Sequence, residues 1–118
     1  MTYSQDITNP KPRVKPHVLV AGSTSAIDLE GGTLVGVLLL DNITSTTFTI
    51  TVSNATDGTF VTLKDPLASG AAITYTVGAT STGYFPINQI NTLGFRFCKI
   101  VFDQSETPTI YTVTRNLQ

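Results

Sequence analysis

The chain holds 118 residues, 41% hydrophobic and only 13% charged, so it fits one domain with a core of modest size. A formal net charge of −1 leaves no global basic field to attract nucleic acid or an anionic membrane. The single cysteine, Cys98, excludes an internal disulfide framework.

Residues 1–16 differ from the rest. They are polar, contain Pro10, Pro12 and Pro16, and carry Lys11, Arg13 and Lys15, three of the seven basic residues. Proline at this density excludes helix and central strand, which predicts an extended, polyproline-like N-terminal arm. Lys11, Arg13 and Lys15 are its candidate partner-binding residues, suited to an acidic surface; a frayed terminus is the plainer alternative. Residues 17–118 read as the single domain. No apolar signal region precedes them, so no secretory signal is expected. The longest apolar run, Thr33–Leu40, is too short for a membrane-spanning helix.

His17–Val20 and Ser25–Leu29 read as short strand pieces broken at Ala21-Gly22-Ser23. A Gly31-Gly32 turn leads to Thr33–Leu40, apolar on both faces: Leu34, Leu38 and Leu40 on one, Val35, Val37 and Leu39 on the other. Such a strand is either central in a covered sheet or has its second face in an interface. Thr46–Ser53 alternates Phe48, Ile50 and Val52 against Thr47, Thr49 and Thr51, the period-2 pattern of a half-buried strand. Asp57-Gly58 turns the chain into Phe60–Lys64 as a hairpin. Ala72–Val77 alternates again. Tyr84–Gly94 reads as a turn or crossover before the strong strand Phe95–Phe102. Thr109–Thr114 is the last strand.

The chain is therefore expected to be all-β, an antiparallel, jelly-roll-like β-sandwich of about eight short strands spaced roughly ten residues apart. Phe97, Ile100, Leu38 and Ile50 are expected in its core. Threonine dominates the polar positions, with Thr44, Thr46, Thr47, Thr49 and Thr51 inside eight residues. Threonine favours sheet, and a surface this poor in charge points to burial against a partner.

No spacing of residues carries chemistry. His17, the only histidine, lacks a nucleophile or metal motif and reads as structural. Cys98 sits mid-strand and reads as a buried apolar thiol. Asp41, Asp57 and Asp65 fall at turns, where they serve local backbone donors. Asp28 and Glu30 flank Leu29 and are placed to meet Arg96 or an arm from a neighbour. Tyr75, Tyr84, Phe85 and Tyr111 are the candidates for a glycan site, but without tryptophan they read as packing residues. Phe95-Arg96-Phe97-Cys98-Lys99 looks locally like a single-strand nucleic-acid platform, against the acidic balance of the chain. No enzyme, metal, cofactor, membrane or nucleic-acid function is expected, and a small-molecule ligand is not indicated.

Residues 26–37 (AIDLEGGTLVGV), Phe48–Val52 with Asp57-Gly58-Thr59-Phe60, Gly83-Tyr84-Phe85-Pro86-Ile87 and Gly94-Phe95-Arg96-Phe97 together resemble a group of small tailed-phage structural proteins. The resemblance spans roughly residues 25–114 and leaves the arm outside. It implies a virion component with a jelly-roll or galactose-binding-like sandwich. The role implied first is a capsid decoration (cement) protein on the head surface, bridging major capsid subunits. A homo-oligomer, dimer or trimer, would use Thr33–Leu40 or the Tyr84–Ile90 segment, which makes Tyr84, Phe85 and Ile87 candidates for self-contact. A neck, tail or head-fibre component and a glycan-binding module are the alternatives.

Overall fold

The computed structural model describes residues 12–78 and 82–115. Eleven strands follow in order: β1 (Pro12–Val18), β2 (Ile27–Asp28), β3 (Thr33–Leu39), β4 (Thr47–Ser53), β5 (Val61–Thr62), β6 (Lys64–Asp65), β7 (Ala71–Ala72), β8 (Tyr75–Thr76), β9 (Gly83–Pro86), β10 (Phe97–Phe102) and β11 (Thr109–Arg115). Among the described residues, two single-turn 3-10 segments, Pro66–Ala68 and Gln89–Asn91, interrupt them.

Two antiparallel sheets form the body. The front sheet runs β1-β11-β3-β9; the back sheet runs β2-β10-β4-β5, with β8 also paired to β4. In β4, β10 and β11 buried positions alternate with more exposed ones, so each sheet turns one face toward the other. Leu34, Val37, Leu39 and Ile110 from the front meet Phe48, Ile50, Val52, Cys98, Ile100 and Phe102 from the back in one buried cluster. Phe48 lies at its centre, stacked on Tyr75 at 5.0 Å and edge-on to Phe85 across the sheets at 6.2 Å. The Asp57-Gly58 hairpin forms as expected, with Val52 opposite Val61.

Several expectations need correction. Pro12–Val18, assigned in large part to the arm, is an edge strand paired along its whole length with β11. Its prolines are tolerated because an edge strand has one row of N–H groups that need not join the ladder. Lys11 and residues 1–10 lie outside the described residues. Tyr84 and Phe85 belong to strand β9 rather than a turn, and Phe60–Lys64 divides: β5 stays with β4, while β6 pairs with β7 around the Pro66–Ala68 turn.

The faces of β3 also differ from strict alternation. Val113 pairs with Gly36 but Thr114 with Leu34, a bulge that leaves Val35 unmatched. Adding one residue reverses the side on which earlier residues fall. Leu34 therefore points inward with Val37 and Leu39, and Leu38 lies in the half-buried outer row instead of the core. Phe97 is buried but on the outer side of the back sheet, opposite Asp28 and Ser53, with the Arg96 guanidinium over its ring.

Candidate functional site

The outer faces of the two sheets have opposite characters. On the back sheet the half-buried Thr49, Thr51, Thr62 and Lys99 stand in paired rows on the outer side, with Val101 opposite Thr49 and the Lys99 ammonium 4.3 Å from the Phe60 ring. The front sheet presents a different surface. Residues directly opposite one another across antiparallel strands share a face. One row holds Pro16, Tyr111, Leu38 and Tyr84; the next holds Val14, Val113, Gly36 and Pro86; Val18 stands opposite Thr109 in a third. Ile110 and Thr112 between them are buried inward, so these rows point out. No charged side chain interrupts the three rows.

Much of this face is open to water. Val14 is 58%, Val18 65% and Tyr84 48% exposed. The Tyr84 ring lies flat across Gly36 and its hydroxyl donates to the Val35 carbonyl at 3.2 Å. Gly36 is required there, because a Cβ would overlap the ring. Covering a bare strand glycine with a cross-strand aromatic is a known way to hold a sheet.

Arg13, Lys15 and His17 alternate onto the other side of β1. The Arg13 guanidinium and the Lys15 ammonium, the latter at 3.7 Å, both pair with Glu30. His17 Nε2 lies 2.8 Å from the Thr112 hydroxyl, and burial together with the nearby Lys15 charge holds its pKa below the usual imidazole value. The two described cations expected to reach for a partner are thus engaged by their own chain. Arg96 grips Asp28 with two donors, Nε at 3.3 Å and Nη2 at 3.1 Å. Those hydrogen bonds, with a further one from the Glu30 backbone N–H, hold the Asp28 carboxyl below its ordinary range. The pairing expected between Asp28 or Glu30 and Arg96 or an arm therefore forms, with this chain's own β1 in the place of a neighbour's arm.

The opposite end of the sandwich is tied by carboxylates. Glu106 is buried, and its Oε2 accepts from the Thr44 N–H and hydroxyl at 3.0 Å and from the Ser45 N–H and hydroxyl at 2.6 Å. Burial pushes this carboxyl up, yet the donors of Ser45 and Thr44 outweigh it and leave the pKa lowered. Asp103 accepts from Thr46 and Thr47 in the same way. Cys98 is fully buried in the core, and burial pushes its thiol up to about 12. A thiol with that pKa is protonated at neutral pH and unreactive.

The candidate self-contact and glycan residues do not converge. Of Tyr84, Phe85 and Ile87, only Tyr84 stands on the surface. Phe85 pairs with Val37 and turns inward onto Phe48, and Ile87 is buried. Tyr75 stacks in the core and its hydroxyl accepts from the Asn91 amide at 3.0 Å. Tyr84 and Tyr111 share the front row, separated by Leu38. Val14, Pro16, Val18 and Val113 were not singled out as surface residues; the signal for β1 was its alternation, PRVKPHV, of apolar with basic side chains. Among the described residues no group of three His, Cys, Asp or Glu is placed to hold a metal ion. Compared with protein-family models, curated proteins and solved structures, the chain matches none.

Proposed function

We propose that this chain is a non-enzymatic structural protein of a tailed-phage particle: a capsid decoration protein that sits on the head surface and bridges major capsid subunits. The observation that carries the docking half of this reading is the uncharged apolar outer face of the front sheet. Contiguous apolar surface rimmed by polar residues is the mark of a protein interface. The virion half rests on the resemblance of residues 25–114 to small phage structural proteins. The strand order supports the body plan that resemblance implies. Leaving out the short strands β5 to β7, successive strands alternate between the sheets except at the step from β4 to β8, which pair within the back sheet, giving β1-β11-β3-β9 against β2-β10-β4-β8. We read this as the interlocked Greek keys of a jelly roll.

In this reading Val14, Val18, Leu38, Tyr84, Tyr111 and Val113 are the contact, and β1 completes the docking face instead of reaching out as an arm. Arg13 and Lys15 fix β1 through Glu30. A single contact is weak, and repetition over a lattice supplies retention.

Quantitative mass spectrometry of purified particles, measured against the major capsid protein, tests the role. A copy number comparable to that of the capsid lattice is expected. A dozen copies or fewer would place the chain in a neck, tail or fibre, and none would remove it from the particle.

A further inference from the structure

The second feature of the surface lies at the end of the sandwich where β2 passes into β3. A cleft of about 640 Å³ opens there, lined by Glu30, Asn54, Phe95 and Arg96 and by the backbone of Gly31, Gly32 and Gly94. Its size lies in the range of small-molecule sites.

The walls are built by turn chemistry. Glu30 and Gly31 both have positive φ, 53° and 80°, and the Gly32 N–H donates to the Leu29 carbonyl at 2.7 Å. This is a type I′ turn, and Asp28 holds it by accepting from the Glu30 N–H at 2.8 Å. Gly94, at φ 95°, turns the facing loop. A Cβ on Gly31 or Gly94 would meet nothing within 4 Å, so their backbone is open to an incoming molecule.

The polar groups are fixed by bonds that leave capacity unused. Arg96 gives Nε and Nη2 to Asp28 and its backbone N–H to Asn54 Oδ1 at 3.1 Å. Its Nη1 group and the Asn54 side-chain NH₂ have no protein acceptor among the described residues. Glu30 receives Arg13 and Lys15 on Oε2, and Oε1 remains an acceptor. Donors and acceptors thus stand side by side, with the half-buried Phe95 ring as the apolar element.

Charge narrows the ligand class. An anion entering the cleft meets the Glu30 carboxylate, and a cation meets the Arg96 guanidinium. A molecule whose hydroxyls both donate and accept satisfies both sets without adding charge. We propose that this cleft binds a neutral saccharide, a mono- or disaccharide unit. The site is formed by loops at one end of the sandwich and is separate from the glycan candidates Tyr75, Tyr84, Phe85 and Tyr111. It stands independently of the docking role of the front sheet.

The test is ¹⁵N heteronuclear NMR on the full chain, titrated to tens of millimolar with D-glucose, D-galactose, N-acetyl-D-glucosamine and maltose in turn. At least one sugar is expected to shift amides of residues 30–32, 54 and 94–96 in a saturable manner. Glu30→Gly removes the carboxylate together with its surface pairs to Arg13 and Lys15, while the left-handed backbone at this position suits glycine; unchanged amide positions in β1 and β11 show that the fold is retained. It is expected to weaken binding roughly tenfold, the loss of one charged hydrogen bond. No saturable shift with any of the four sugars, shifts confined to other residues, or unchanged affinity in Glu30→Gly would each overturn the proposal.

Discussion

The Tyr84 ring occupies the space in which Gly36 would carry a Cβ, and its hydroxyl closes on the Val35 carbonyl at 3.2 Å. This contact seals the front sheet where β3 is bulged and bare. Gly36→Ala is expected to destabilise the chain by about 1–3 kcal/mol, since the ring must be displaced from a packed position. Combined with Tyr84→Ala, the Gly36→Ala penalty should largely vanish. Urea denaturation of the two single variants and the double variant measures that coupling.

Glu106 provides a pH signature. Its folded pKa is lowered, as are those of Asp103 and Asp28. The native state then binds fewer protons than the unfolded chain near the carboxylate range. The stability from these groups is full above their unfolded values, ~4, and is lost as pH falls through the folded values. Glu106→Gln should flatten this acid limb in denaturation curves taken across pH. Glu106→Ala, which strands the donors of Thr44 and Ser45, is expected to cost roughly 1–3 kcal/mol at neutral pH.

His17 adds a second limb at higher pH. Its pKa is lowered by burial and by Lys15, so the folded chain favours the neutral ring. That stability is present above the unfolded value of about 6.5 and declines as pH falls below it. An NMR titration of the ring should give a midpoint below that of a free histidine, and a raised midpoint would contradict the packing of β1 on Thr112.

Cys98 should be inert. The side chain is fully buried and its thiol is protonated at neutral pH. A thiol reagent is expected to label it only at the rate of unfolding, and stoichiometric labelling of the native chain within the mixing time would show that the two sheets do not close as described.

The sequence made the sandwich legible because its strongest signals, the clean alternation of β4 and the aromatic, β-branched run of β10, are also what pack the core. Phe48, Ile50 and Val52 face inward as their spacing requires. The errors arise where one residue changes parity or where proline misleads. The bulge at Val35 depends on the register chosen by β11, a long-range choice that nothing local in β3 announces. Pro12 and Pro16 read as an arm because proline breaks interior strands, although the alternation between them carried the edge-strand pattern. The cleft was legible only in part: the sequence places Arg96 against Asp28 and Glu30, but Asn54 and Gly94 join them only when three loops gather at one end.

The central claim is that the apolar front face is the docking surface, and a charge placed on it tests this most directly. Val14→Lys with Val18→Lys alters two exposed side chains on β1 and leaves the core untouched. Thr49→Lys with Thr62→Lys places the same charge on the back sheet. Each protein is mixed with particles stripped of this chain and sedimented. The back-sheet variant is expected to bind like the unaltered chain, and the front-sheet variant, folded by circular dichroism, to stay in the supernatant. A front-sheet variant that saturates the particles as the unaltered chain does would contradict it.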